Sequence, residues 1–286
     1  MGFSASPAEP DVALSLPARP ENVAVVRQAL AGLADALGVE VALLADMKIA
    51  VTEACTNAVL HAYEATAGPL EVTMRVDAGR RLTISVRDRG RGFRPLPTQV
   101  DDAPLGFGLA LIASLADAFA IQGGAGGTEV QMTFGLEPDG EDGAPPPAVG
   151  QLLAARPEPR GGDVDLVLAD GPLVAPVLSR VISLLAARVD FSIDRLSDAQ
   201  IVADVLAQHT AAQAADGQVH VSIAEEDRVL ALAVGPLAAG GGRALVAATE
   251  LPGLGRLIDQ LASQVDIDPG PEGEILRLRL GQRATA

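Results

Sequence analysis

Residues 52–63 read TEACTNAVLHAY, and residues 86–93 read VRDRGRGF. The first stretch lies in a run from about Val41 to Tyr63 whose apolar positions, among them Leu44, Met47, Ile49, Ala50, Val51, Ala54, Ala58 and Val59, predict a helix. On that helix Glu53 and Asn57 are four residues apart and share a face, which His61 continues. A carboxylate and an amide oxygen there suit a hard cation, Mg²⁺ especially, which keeps most of its waters and takes few protein ligands. The carboxylate could instead orient or deprotonate a hydroxyl. Read alone, the same stripe also fits the solvated side of an amphipathic helix.

The second stretch ends a hairpin. Leu70, Val72, Met74 and Val76 alternate, residues 77–80 turn, and Leu82, Ile84 and Val86 alternate back. Asp88 follows, where a carboxylate can accept a hydrogen bond from an exocyclic amine. Gly90 and Gly92 let the backbone approach a flat ring or turn sharply. An ordinary strand-ending turn would look the same. Next come Gly106, Gly108 and Leu109 at the head of a helix predicted over residues 105–118. Glycines there expose N–H groups to a phosphate, or simply join a turn to a helix. The third glycine of a GxGxxG fingerprint is missing, and no GK[ST] occurs. Gly126-Gly127-Thr128 then enters a last strand, where the threonine hydroxyl could meet a nucleotide or serve only a β-turn.

Around these motifs the chain completes a domain over residues 10–136. A short strand holds Val12, Leu14 and Leu16. A helix from Asn22 to Leu37 is closed by Gly38, and strands fall near residues 119–122 and 128–134. Residues 137–162 are rich in Pro, Gly and charge and read as a linker. Residues 163–282 repeat the element order: strand, helix, longer helix, hairpin, Gly-rich loop, helix, two strands. Leu111, Ile112, Leu115, Ala116, Ile121, Gly124 and Gly127 recur as Leu257, Ile258, Leu261, Ala262, Ile267, Gly270 and Gly273. The expectation is a tandem duplication.

Composition narrows the function. A net charge of −16, with only a small basic cluster at Arg87, Arg89, Arg91 and Arg94, argues against direct nucleic-acid binding. One cysteine, Cys55, excludes an internal disulfide framework, and it reads as a buried small side chain. No apolar run reaches bilayer length and no signal peptide opens the chain, so a cytoplasmic protein with no membrane association is expected.

Taken together, the order E-x-x-x-N, D-x-G-x-G, G-x-G-L, G-T resembles the ATP-binding boxes of the GHKL (Bergerat-fold) ATPase superfamily. TEACTNAVLHAY, VRDRGRGF and the short stretch between Phe93 and Gly106 are most similar to its anti-sigma-factor serine/threonine kinase branch. The resemblance implies an α+β fold, a two-layer α/β sandwich, here tandemly duplicated. It implies ATP and Mg²⁺ as cofactors, with Asn57 as metal ligand and Glu53 as general base. Asp88 would contact the adenine amine, with Gly90 and Gly92 beside the ring. Gly106, Gly108 and Leu109 would frame the lid and phosphates, and Thr128 would support the base side. His61 matches a histidine of the branch's pattern or packs the helix face, and a phosphate contact from Arg94 or the lid stays unassigned.

The implied partners are an anti-anti-sigma (STAS-domain) protein, phosphorylated on Ser or Thr, and a sigma factor. The alternative is a non-catalytic ATP-gated binding module. The second half departs from the pattern, offering Val205 for Glu53, His209 for Asn57 and Pro236 for Asp88, with a GxG kept only at Gly253 and Gly255. It reads as a degenerate copy without a nucleotide site, giving an intramolecular pseudo-dimer or a chain that still forms a homodimer.

Overall fold

The computed structural model describes residues 10–64, 66–78, 80–92, 107–136, 162–251 and 255–281. The expected linker up to residue 161, the lid over 93–106 with Phe93, Arg94 and Gly106, and the GxG glycine Gly253 lie outside the described residues. The chain divides into two compact units, Met1–Leu30 with Gly38–Glu158 and Ala31–Leu37 with Pro159–Ala286.

The first unit runs β1 (Val12–Pro17), α1 (Val23–Leu37, of which residues up to Leu30 belong to this unit), α2 (Val41–His61), β2 (Pro69–Val76), β3 (Arg81–Asp88), α3 (Phe107–Leu115), β4 (Ala118–Gly124) and β5 (Gly127–Gly135). Its strands are antiparallel in the order β1-β2-β3-β5-β4. Proline at the first position of a 3-10 turn, Pro20–Asn22, leads into α1, so the regular helix starts one residue later than its spacing predicts. Alternation sets the register: Leu14 pairs with Val72, Val72 with Val86, and Val86 with Val130. All four are buried. α2 packs on β3 and β5 and meets α3 on its flank. It buries Met47, Ala50, Val51, Ala54, Cys55 and Ala58. A fully buried aliphatic side chain contributes about 1.5–3 kcal/mol, so this stripe fixes the helix against the sheet and aims the neighbouring Glu53 and Asn57 off the core.

The second unit runs β6 (Val164–Ala169), α4 (Val174–Arg188), α5 (Ile193–His209), β7 (Gln218–Glu226), β8 (Val229–Leu237), α6 (Gly241–Ala247), β9 (Glu250–Leu251), β10 (Gly255–Arg256), α7 (Leu257–Leu261), β11 (Gln264–Pro269) and β12 (Glu274–Gly281). Its main strand order is β6-β7-β8-β12-β11, with β9 and β10 forming a separate two-stranded ribbon. Two expectations need correction here. The Gly-rich segment after β8 is not simply a loop but carries α6, because the Glu274 carboxylate accepts hydrogen bonds from Gly240 N (2.9 Å) and Gly242 N (3.0 Å). Leu245 and Val246 of that helix are buried. The residue at the Asp88 place is also shifted. Val234 pairs with Leu276, but Leu237 pairs with Glu274, so an extra residue at Gly235-Pro236 bulges β8. Leu237, not Pro236, therefore stands beside β12 where Asp88 stands beside β5. Among the described residues no helix is long and apolar enough to cross a membrane.

Candidate nucleotide site

Asp88 is the last residue of β3 and is 5% exposed. Its Oδ1 accepts from Gly90 N at 2.8 Å, an Asx turn that folds the chain back immediately after the strand. The same oxygen accepts from Thr128 N at 3.2 Å. One carboxylate oxygen thus ties the DRGRG turn to the start of β5, which fixes the orientation of the other.

The glycines of the turn are there for space. A Cβ at Gly90 would lie 2.2 Å from the Ala62 carbonyl oxygen, and one at Gly92, where φ is +74°, would lie 1.8 Å from the Gly124 carbonyl oxygen. Gly127 has φ +111°, and a Cβ on it would lie 2.0 Å from the Asp88 carbonyl oxygen. Gly127→Ala should therefore destabilise the protein by about 1–3 kcal/mol from backbone strain alone, and further through the clash. Denaturant unfolding checks this, and an unchanged midpoint would contradict the assigned close approach.

Gly108, at the start of α3, faces α2. A Cβ there would come within 2.7 Å of Glu53 Oε2 and 3.6 Å of Asn57 Nδ2. The structure so brings Gly108 up to Glu53 and Asn57, which lie far earlier in the chain. Leu109, next to Gly108, is buried and anchors α3. His61 is exposed at the end of α2, with its carbonyl accepting from Arg91 Nη2 at 3.3 Å. Cys55 is fully buried and burial pushes its thiol up to about 12, so it holds a neutral packing position.

No group of three or more His, Cys, Asp and Glu that could hold a metal occurs among the described residues. The acid–amide pair of Glu53 and Asn57 beside Gly108 nevertheless fits Mg²⁺ arriving with a nucleotide, since that ion takes one or two protein oxygens and the rest from phosphate and water.

Sequence reading missed Tyr63. Its hydroxyl donates to the Pro69 carbonyl at 2.6 Å and accepts from Arg89 N at 2.8 Å. Burial, ahead of the neighbouring charges, raises its pKa above the ordinary tyrosine value. Arg89 also pairs with the buried Glu71, and Arg91 with Glu64.

The chain is similar to known proteins. A family model described as a histidine kinase-like ATPase domain matches residues 16–134. The serine-protein kinase RsbW of Bacillus licheniformis is 37% identical, covering 43% of this chain and 83% of the relative. That of Bacillus subtilis is 36% identical, again over 43% of this chain and 83% of its own length. The RsbU and RsbW domains of a Mycobacterium tuberculosis protein, known from a crystal structure, are 27% identical over 43% of this chain and 32% of that one, with a TM-score of 0.35. The chain belongs to the RsbW serine-protein kinase family of histidine kinase-like ATPases.

Proposed function

We propose that the first unit transfers the γ-phosphoryl group of ATP to a serine or threonine of an anti-anti-sigma (STAS-domain) protein and that the chain also binds a sigma factor, switching between the two partners. The meeting of Glu53 and Asn57 with Gly108, together with the turn that Asp88 builds, carries this reading. Asp88 accepts the adenine amine on the carboxylate oxygen that Gly90 and Thr128 leave to it. Gly92 brings backbone close to the ring, and Gly108 and the head of α3 face the phosphates. Asn57 holds the Mg²⁺ that enters with ATP, an ion that supplies charge neutralisation at the phosphates. Glu53 takes the proton from the attacking hydroxyl as its oxygen bonds to the γ-phosphorus, while ADP departs with the electrons of the broken P–O bond. ATP calorimetry with Mg²⁺, followed by phosphate transfer to a purified anti-anti-sigma domain, tests it. Micromolar binding with transfer fits, and no binding refutes it.

The second unit is, on this reading, a duplicated copy that has lost its nucleotide site. The common strand order supports duplication. So do exposed aliphatics at matched helix positions: Val41 and Ile49 in α2, Ile193 and Ile201 in α5. Where a nucleotide would need Asp88, Leu237 is wholly buried, and where Thr128 would stand, Glu274 takes up the N–H groups of Gly240 and Gly242. The expected stoichiometry is one ATP per chain. A second site of similar affinity in the calorimetric isotherm would refute the degenerate copy.

A further inference from the structure

We propose that Tyr63 is a positioning residue that sets the affinity and base preference of the nucleotide site by clamping the peptide between Asp88 and Arg89. This rests on the reading of Asp88 as the adenine contact. The N–H of that peptide, on Arg89, donates to Tyr63 Oη. Its carbonyl, on Asp88, lies in the space that a Cβ on Gly127 would fill. The peptide is thus hydrogen-bonded at its N–H end and packed closely against Gly127 at its carbonyl end, which restricts rotation of its plane and helps to aim the Asp88 side chain leaving it.

The clamp is itself anchored. Tyr63 Oη donates to Pro69 O at the start of β2, and the ring lies over Gly68, where a Cβ would sit 2.1 Å from Cε1. Gly68 O in turn accepts from Ala18 N at 2.8 Å, tying this seat to the end of β1. The neighbouring Ala62 carbonyl accepts from Arg91 N at 3.1 Å and abuts Gly90. Asn57 lies on the helix that ends one residue before Ala62, so the end of α2 that bears the metal ligand also positions the adenine ligand. A hydroxyl is needed because one atom must both accept and donate, which phenylalanine can do neither of.

The test compares the full chain with Tyr63→Phe, Asp88→Asn and the double variant. Calorimetry with Mg²⁺ measures ATP and inosine triphosphate, which lacks the exocyclic amine. Tyr63→Phe should weaken ATP about tenfold, the effect of losing one or two neutral hydrogen bonds, and leave inosine triphosphate within about twofold. Base discrimination then falls, which general loosening of the fold would not produce. Added to Asp88→Asn, Tyr63→Phe should cost almost nothing more, because both act on one group. The Arg89 amide should exchange its hydrogen at least about tenfold faster in Tyr63→Phe, while amides inside α2 stay protected.

Unchanged Arg89 exchange overturns the proposal. So does wild-type ATP affinity in Tyr63→Phe alongside loss in Asp88→Asn, or equal weakening of both nucleotides. Failure of the wild type to bind ATP overturns the underlying site reading instead.

Discussion

Glu53→Gln is expected to leave ATP affinity nearly unchanged and to slow phosphoryl transfer by about 10²–10⁴-fold, the usual contribution of a positioned base. Glutamine keeps the size of the side chain and its place beside Gly108, so the helix and the phosphate end of the site stay as they are. What is lost is the oxygen able to take a proton. Gly108→Ala provides a second route to the same carboxylate. The new methyl would lie 2.7 Å from Glu53 Oε2 and would push it off station without altering its chemistry. The two variants should therefore share a transfer defect, while Gly108→Ala should also weaken ATP. Transfer to an anti-anti-sigma domain, followed by phosphoprotein gel or mass spectrometry, reads both. Wild-type transfer by Glu53→Gln would remove Glu53 from the role of base.

Asp88→Asn should weaken ATP by about 100-fold, because a buried donor left without an acceptor costs about 1–3 kcal/mol and here meets a second donor. The asparagine oxygen can still accept from Gly90 N and Thr128 N, so the turn should survive and the melting temperature should barely move. Its NH₂ group then faces the amine of adenine. A base with a carbonyl at that position should suffer less, so the ratio of ATP to inosine triphosphate affinity should fall. Equal loss of both nucleotides with a lowered melting temperature would mean that Asp88 only builds the turn.

Much of this was legible in the sequence, for definable reasons. The α2 stripe is local and periodic: Met47, Ala50, Val51, Ala54 and Ala58 are buried as expected, whereas Leu44 and Val59 are half-buried and Ile49 is exposed. The site residues show as types in a fixed order, and the structure brings Glu53, Asn57 and Gly108 together, and Asp88 with Thr128. α6 was hidden because glycine in a helix costs about 1 kcal/mol relative to alanine, and the segment opens with Gly240, Gly241 and Gly242. What makes it a helix is Glu274, more than thirty residues away, together with the burial of Leu245 and Val246. The shift from Pro236 to Leu237 is a property of strand register, which a one-residue bulge changes without leaving a periodic trace. Tyr63 looked like the end of a helix because the partners of its hydroxyl, Pro69 and Arg89, are fixed only by the tertiary fold.

Tyr63 is also the one tyrosine of a chain with no tryptophan. Near-ultraviolet emission from the unlabelled protein therefore arises mainly at a single phenol, hydrogen-bonded to the turn that bears Asp88. The chain carries its own optical reporter at the proposed nucleotide site, free of the background that a second tyrosine or an indole would add elsewhere.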